Sequence, residues 1–250
     1  MNEGYLRFGI ESEVFLVPRQ SSDDFTSLEG FANFMIKTYN DKKRTAWPKM
    51  HLDIDGSYKG HDQAIEWTLT NDSSLKPDHV DKQCKVFLFT PPGSCANLSD
   101  ESFLRIAVPL ELVSPILEFT STSDWRKAVV GLWDIFNSLC LIQTNKTCGT
   151  HVHISPAAGF ESPSAKSIAR AILYFESAIN GLVPADRRNN EYRKSLRGNG
   201  LKFKGKTTQK CIAVVDACST LDDLIDAMNG NTRYGLKMSI NRDTGFELES

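Results

Sequence analysis

The sequence lacks the features that mark several common classes of protein. No apolar run approaches the ~20 residues that a membrane span needs, and the first ten residues carry charges where a signal peptide has its apolar core. We therefore expect a cytoplasmic protein that does not act on membranes. Its 29 Lys and Arg nearly balance 31 Asp and Glu, which argues against a strongly cationic nucleic-acid-binding protein and a polyanionic tail.

Several catalytic motifs are also missing. The six cysteines form no CxxC pair, so we expect reduced thiols. There is no GxSxG nucleophile elbow, no phosphate-binding loop and no GxGxxG. A barrel-type zinc hydrolase that opens with HxH, or a cupin, needs another histidine downstream, whereas His153 is the last of five histidines. These classes are therefore disfavoured.

The hydrophobic pattern predicts one α+β domain that spans residues 1–250. No internal repeat, low-complexity tract or shift in composition marks a domain boundary. The segment LRFGIESEVFLV alternates as a half-buried strand does, and apolar residues at three- and four-residue spacing predict helices elsewhere. Those helices are expected around residues 25–39 after caps at Ser22 and Asp23, 125–139 behind Ser123, 162–179 with Pro163 in the first turn, and 220–229 behind Thr220.

Short extended stretches between the helices complete the predicted fold. They cover residues 65–71, 85–90, 108–113, 150–154 and 234–241. Most of them alternate apolar and polar residues, whereas the strands of a buried parallel sheet are apolar on both faces. We therefore expect a largely antiparallel sheet with helices packed on one face and a polar active-site face on the other.

Two glutamates in the first strand are candidates for chemistry. Glu11 and Glu13 are two residues apart, so both project from one strand face with their carboxylates about 7 Å apart. Acids this close either share a proton or hold a cation, and the alternative is a solvated charged face. Phe15 and Val17 fall on the same face, which argues against full solvation.

A second candidate is the segment CGTHVHISP. His151 and His153 share one strand face, and neutral imidazole is a common metal ligand, so the pair suggests a metal site or a phosphate-facing wall. Carboxylates with one or two imidazoles and no thiolate cluster suit Mg²⁺ or Mn²⁺ better than structural zinc. Further acids in or beside extended stretches are Glu66, Asp72 and Glu111, and Glu66 taken alone is expected to be a surface acid.

A basic run lies between residues 187 and 206, in a stretch poor in apolar residues. Its members are Arg187, Arg188, Arg193, Lys194, Arg197, Lys202, Lys204 and Lys206. One interpretation is a solvated, mobile loop. The other is a phosphate clamp, because planar guanidinium groups match phosphate oxygens bidentately. Nucleic-acid binding is not expected, because only Tyr192 and Phe203 are interleaved with the run.

Several motifs of the chain resemble the amidoligase superfamily of carboxylate-amine ligases, to which glutamine synthetase and glutamate-cysteine ligase belong. In chain order, three of them are FGIESEVFLV, ELVSPIL and GTHVHIS. A closer resemblance is to one amidoligase group, whose members show stretches like WTLTNDSSL and VPADRRNNEY. The resemblance spans about residues 8–190. It implies the catalytic fold of glutamine synthetase and the guanidino kinases.

The resemblance also implies roles for individual residues. The metal ligands would be Glu11, Glu13, Glu111 and His151. The contacts to the nucleotide would be made by His153, Ser155, Arg187 and Arg188, the two arginines binding its phosphates. Glu111 and the same two arginines would act in catalysis, and Asp72 would line the same cleft.

The implied chemistry agrees with the residues that are present. A carboxylate is a poor electrophile, so its ligation to an amine proceeds through an acyl phosphate made from ATP, with metals and arginines stabilising the transferred charge. No protein nucleophile is needed, which agrees with the absence of a nucleophile motif. We expect ATP and Mg²⁺ (or Mn²⁺) as cofactors. The expected substrates are a small-molecule or peptide carboxylate and an amine, neither of which the sequence identifies.

The chain departs from the family pattern at its final segment. Family members close with a strand of the type T-x-E-F-R, whereas this chain has GFELE, with Glu247 in the place of the glutamate and no arginine. Either this segment is a degenerate version of that strand or the chain stops before it. Two other functions stay open: an inactive amidoligase fold that binds a nucleotide, peptide or protein partner, and a metal-dependent hydrolase. The oligomeric state is not set by the sequence.

Overall fold

The structure is a computed structural model of the chain. It describes residues 5–20, 25, 27–54, 65–76, 84–86, 105–157, 159, 161–182, 196–199, 202–229, 238–241 and 245–249. None of the helices in these ranges has the combination of length and apolarity that a bilayer crossing demands. The chain divides into two compact units, of which the first is Gly9–Leu117 with Ser121–Thr150 and the second is Met1–Phe8, Glu118–Thr120 and His151–Ser250. The expectation of a single domain stays a prediction.

The described residues form six helices and ten strands. The helices are α1 (Leu28–Lys42), α2 (Trp125–Leu139), α3 (Ser162–Leu182), α4 (Leu196–Asn199), α5 (Thr208–Ala217) and α6 (Leu221–Asn229). The strands are β1 (Leu6–Pro18), β2 (Met50–Leu52), β3 (Trp67–Thr70), β4 (Cys84–Val86), β5 (Arg105–Val113), β6 (Leu117–Phe119), β7 (Cys140–Gln143), β8 (Thr150–Pro156), β9 (Met238–Asn241) and β10 (Gly245–Glu249).

A mixed, mostly antiparallel sheet organises the first unit. Its strand order is β2-β3-β5-β1, with β4 beside β5 and β7 beside β1. The pairs β1–β5, β3–β5 and β1–β7 are antiparallel, whereas β2–β3 and β4–β5 are parallel. In the second unit β10 lies between β8 and β9 and is antiparallel to both. The expected α+β architecture with a largely antiparallel sheet is confirmed.

Helices α1 and α2 cover one face of the sheet in the first unit. They contribute large side chains to a buried core, among them Phe31, Met35, Tyr39, Leu132 and Phe136. The strands contribute alternate residues to the same core, namely Val14, Leu16, Leu69, Val108, Leu110 and Leu112. Because successive strand residues point to opposite faces, the residues between them project from the face that these helices do not cover.

The helices of the second unit pack around a separate core. Its members include Ala169, Leu173, Phe203, Cys211, Val215 and Leu224. A buried glutamate on α3, Glu176, accepts hydrogen bonds from the backbone N–H of Leu196 at 2.6 Å and from Nε of Arg197 at 2.9 Å. Arg197 also donates to the carbonyl of Leu173 and the hydroxyl of Thr208, both at 2.9 Å. These bonds tie α4 to α3 and α5.

The structure corrects the predicted N-caps of two helices, α1 and α2. α1 has Ser27 as its N-cap, whose hydroxyl accepts from the N–H of Gly30 at 3.0 Å. The caps predicted at Ser22 and Asp23 are therefore wrong, and those two residues lie outside the described ranges. In α2 the N-cap position is occupied by Asp124, the residue after the predicted Ser123, and its side chain makes no capping hydrogen bond.

The predicted capping arrangement of α6 is confirmed. The hydroxyl of Thr220 accepts from the N–H of Asp223 at 3.1 Å, and the Asp223 carboxylate accepts from the N–H of Thr220 at 2.9 Å. This is the reciprocal pattern that satisfies orphan donors at the start of a helix. The backbone and side-chain hydrogen bonds with Thr220 lower the pKa of Asp223 below its ordinary value.

Gly131 on α2 lies against the ring of Trp47, and a Cβ at this position would overlap that ring. We expect Gly131→Ala to lower the free energy of unfolding by about 1–3 kcal/mol, because overpacking forces the ring or the helix to shift. The matched control is Gly181→Ala on α3, where nothing lies within 4 Å of the added Cβ. It should raise the free energy of unfolding by up to about 1 kcal/mol, since alanine is the better helix former. Urea denaturation measures both, and effects of the same sign would contradict the prediction.

Candidate functional site

The face of the first unit's sheet that α1 and α2 leave uncovered carries three glutamates. In the register of β1 and β5, Glu13 lies directly opposite Glu111, and Glu11 lies opposite Val113. Directly opposite residues of an antiparallel pair share a face, with Cβ atoms about 4.5–5.5 Å apart, and diagonal neighbours are about 7–8 Å apart. Glu11, Glu13 and Glu111 therefore project from one side, and we call them the acidic face.

Glu13 is the most enclosed member of the acidic face, with only 9% of its surface exposed. Its Oε2 accepts a hydrogen bond from the N–H of Gly149, and its own N–H donates to the carbonyl of Gly149 at 3.0 Å. Phe15, Val17 and Cys148 belong to a small apolar cluster in the same unit. A buried carboxylate that faces a second one is unfavourable unless a proton or a cation compensates the charge.

A hydrogen-bonded chain of three side chains lies further along the same sheet. Nδ1 of His51 is 3.2 Å from Oε2 of Glu66, and its Nε2 is 3.0 Å from the hydroxyl of Thr68. With a neutral imidazole, Nδ1–H donates to the carboxylate and Nε2 accepts from the hydroxyl. The expectation that Glu66 is a surface acid is corrected, because only 25% of its side chain is exposed and it pairs with a buried histidine.

Sequence reasoning missed that buried polar residues gather in this sheet. Glu13, His51, Asp53 and Thr68 are each no more than 9% exposed. In the strand registers His51 lies opposite Thr68, Thr68 opposite Val113 and Val113 opposite Glu11, so these positions form one row across four strands. The available signal was the alternation in MHLD, residues 50–53. A three-residue strand is too short for that signal to stand out.

Asp72 shapes a turn beside the same apolar cluster. Its two carboxylate oxygens accept from the N–H and the hydroxyl of Ser74, both at 2.7 Å. Leu75 of this turn is buried in the cluster that contains Phe15 and Val17. Both oxygens of Asp72 are therefore used within the turn, as is common for an aspartate at the start of one.

The second unit holds both candidate histidines on β8. His151 and His153 are half-buried and two residues apart. In the register of β8 and β10, Glu249 lies opposite His151 and Glu247 lies opposite His153. The segment GFELE is thus a strand that pairs with the histidine strand. Its equivalence to the closing strand of other amidoligases stays a prediction.

The residues expected to contact a nucleotide are described only in part. Ser155 lies on β8, and its hydroxyl donates to the carbonyl of the next residue at 3.2 Å. Arg187 and Arg188 lie outside the described residues. Arg197, another member of the basic run, is held by Glu176 at 2.9 Å. This arginine is therefore part of a structural ion pair and is not available as a phosphate clamp.

Four cysteines are buried free thiols, namely Cys140, Cys148, Cys211 and Cys218. Burial raises the pKa of Cys140 to about 12. At neutral pH that thiol stays protonated, and the thiolate is the reactive form, so Cys140 is not a nucleophile. The expectation of reduced thiols is confirmed for these four cysteines.

Comparison with known families decides where this chain belongs. A family model described as "putative amidoligase enzyme" matches residues 5–233, which is most of the chain. The chain belongs to this amidoligase family. Membership indicates a ligase-type enzyme in general terms. No curated protein and no solved structure matches the chain.

The acidic face of this amidoligase family member has donors that fit a hard divalent cation. Mg²⁺ and Mn²⁺ prefer carboxylate oxygens, and β1 and β5 supply three carboxylates to one side of the sheet. In the part of the chain that the structure describes, no three His, Cys, Asp or Glu side chains converge closely enough to hold a metal ion. The backbone positions of the three glutamates nevertheless share one face of the sheet.

Proposed function

We propose that this amidoligase is an ATP-dependent ligase that uses Mg²⁺ or Mn²⁺ to join a carboxylate to an amine through an acyl phosphate. The observation that carries the proposal is the register that places Glu13 opposite Glu111, with Glu11 on the same face. Like charges placed directly opposite on neighbouring strands destabilise a sheet. Carboxylate oxygens gathered on one face are the ligands that a hard divalent cation prefers, so the proposal assigns the cation to the acidic face.

The fold supports the same proposal. One face of the first unit's sheet is covered by helices, and the other carries the carboxylates together with the buried polar residues His51 and Thr68. This arrangement agrees with the catalytic fold of glutamine synthetase and the guanidino kinases, which we include in the proposal. The match to the amidoligase family covers β1 to β8 and all six helices, so the glutamate and histidine motifs both fall within it.

Within the proposed reaction, a bound divalent cation supplies charge neutralisation for the phosphoryl oxygens of ATP. The chain contributes orientation and shielding. The N–H of Gly149 holds the carboxylate of Glu13 in one orientation. Phe15 lies in a buried apolar cluster, and the proposal assigns to this cluster the exclusion of water that favours attack by an amine over hydrolysis of an acyl phosphate. The proposal also assigns a metal contact to His151 and nucleotide contacts to His153, Ser155, Arg187 and Arg188.

Calorimetry of the full chain with ATP or ADP at millimolar Mg²⁺ tests the proposal. We expect nucleotide binding that disappears when the cation is chelated. In a second assay, ADP release should require a carboxylate and an amine together. A panel of amino acids and short peptides, tested in pairs, supplies both substrates without assuming their identity.

Each outcome of these assays distinguishes between functions. Lack of nucleotide affinity at millimolar Mg²⁺ would overturn the ligase proposal. Nucleotide binding without ADP release for any substrate pair would identify an inactive amidoligase fold that binds a nucleotide. Cleavage of an amide or phosphate ester that needs the cation but not ATP would identify a metal-dependent hydrolase.

A further inference from the structure

Asn145 organises the turn that precedes the GTHVHIS motif. Its Oδ1 accepts from the N–H of Thr147 at 2.8 Å and from the hydroxyl of Thr147 at 2.6 Å. Its backbone carbonyl accepts from the N–H of Cys148 at 3.1 Å. An asparagine that binds the backbone two residues ahead stabilises a tight turn. The residue that follows Cys148 is Gly149, the hydrogen-bond partner of Glu13.

The same turn forms hydrogen bonds with Lys76, the residue that follows the WTLTNDSSL segment. The side-chain N–H of Asn145 donates to the carbonyl of Lys76 at 2.7 Å, and the N–H of Lys76 donates to the hydroxyl of Thr147 at 3.1 Å. Both backbone groups of Lys76 are thus satisfied by two side chains of the turn. Asn145 therefore links two segments that are about seventy residues apart in the chain.

We infer that Asn145 is a positioning residue for Glu13. It sets the path of the chain from Thr147 to Gly149. The N–H of Gly149 donates to the carboxylate of Glu13, and the carbonyl of Gly149 accepts from the N–H of Glu13. Asn145 makes no contact with the carboxylate itself, so it acts through the position of the Gly149 N–H. The consequence for cation affinity rests on the proposed function, whereas the consequence for Gly149 does not.

Two variants of Asn145 test whether it positions Glu13. Asn145→Ala removes both the acceptor for Thr147 and the donor to Lys76. Asn145→Ser keeps a short acceptor that can hold the turn more weakly, and it adds no charge near the carboxylates. The matched control is Thr144→Ala, an exposed neighbour in the same connection. Thermal unfolding of each variant checks that the chain remains folded.

The first readout is hydrogen exchange of the Gly149 amide by NMR. We expect faster exchange in Asn145→Ala, an intermediate rate in Asn145→Ser and the rate of the unchanged chain in Thr144→Ala. The second readout is the Mn²⁺ dissociation constant, measured by the loss of the free-ion EPR signal. It should rise by ~10-fold in Asn145→Ala, the lower end of the effect of residues that orient metal ligands, with partial recovery in Asn145→Ser.

The outcomes separate this inference from the proposed function. If the unchanged chain binds Mn²⁺ and Asn145→Ala binds it equally well, Asn145 does not position Glu13 and the inference is overturned. If the unchanged chain does not bind Mn²⁺, the proposed function fails, and the Gly149 exchange rate alone decides the inference. Faster exchange in the folded Asn145→Ala variant then supports it, and an unchanged rate overturns it.

Discussion

Glu111→Gln is expected to weaken Mn²⁺ binding by at least ~10-fold while leaving the protein as stable as before or slightly more stable. The loss of affinity follows because even residues that only orient a metal ligand affect affinity by ~10–100-fold. The change in stability follows because Glu111 lies directly opposite Glu13. Neutralising one of two facing charges relieves a repulsion of up to about 1 kcal/mol. Titration of Mn²⁺ and urea denaturation of the same sample measure the two effects.

The opposite signs of these effects make the prediction specific. Glutamine has nearly the same shape as glutamate, so packing is preserved and only the charge is removed. The matched control is Glu118→Gln on β6, an exposed glutamate in a strand, which should change neither quantity by much. A Glu111→Gln variant that loses stability and keeps its Mn²⁺ affinity would show that the acidic face is a structural feature.

Glu176→Ala is expected to lower the free energy of unfolding by about 3 kcal/mol, because removing one partner of a buried ion pair leaves the other charge uncompensated. The side chain of Glu176 is 3% exposed and that of Arg197 is 24% exposed. The substitution also removes the acceptor for the N–H of Leu196. Since water reaches part of Arg197, the expected cost is at the lower end for such pairs. Urea denaturation gives the measurement.

A second ion pair in the same unit supplies the control. Arg170 pairs with Asp216 at 2.6 Å, and both side chains are more than 40% exposed. Arg170→Ala should cost less than about 1 kcal/mol, because exposed ion pairs are screened by water and salt. If the two substitutions lower the free energy of unfolding equally, the stabilising contact between α3 and α4 does not depend on a buried charge.

The elements that could be predicted from the sequence are those with a long, uninterrupted pattern. β1 extends over thirteen residues and has Leu6, Phe8, Ile10, Val14 and Leu16 at alternate positions. α2 repeats apolar residues at helical spacing from Trp125 to Leu139. Both were found with correct ends or nearly so. α5 was not predicted, although Thr207 caps it and Cys211 and Val215 are spaced as on a helix.

The positions of Glu11 and Glu13 in the candidate site could also be predicted from a local sequence pattern. The alternation of β1 places Glu11 and Glu13 on one face without any knowledge of the fold. The position of Glu111 was suggested only by resemblance to a family, because strand register depends on pairing between segments about a hundred residues apart. A shift of one residue would turn Glu111 to the helix-covered face.

The basic run shows where local pattern misleads. Its arginines are alike in sequence, yet Arg197 is held by Glu176, Leu173 and Thr208, which come from two other helices. No local signal distinguishes a structural arginine from a phosphate-binding one, because the difference lies in which acid packs against it. The hydrogen bond between Glu13 and Gly149 could not be predicted from local pattern either, since it joins two motifs that are far apart in the chain.

The sequence by itself determined the class of fold, the long helices, the face on which Glu11 and Glu13 lie and the family resemblance, because periodicity and motif order are local properties of the chain. Tertiary structure alone decided that Glu111 faces Glu13, that Gly149 holds the carboxylate, that His51 pairs with Glu66 and that Asn145 joins two turns. Each of these contacts depends on which distant segments pack together. The free energy that selects this packing comes from the whole buried core and not from the residues around one position.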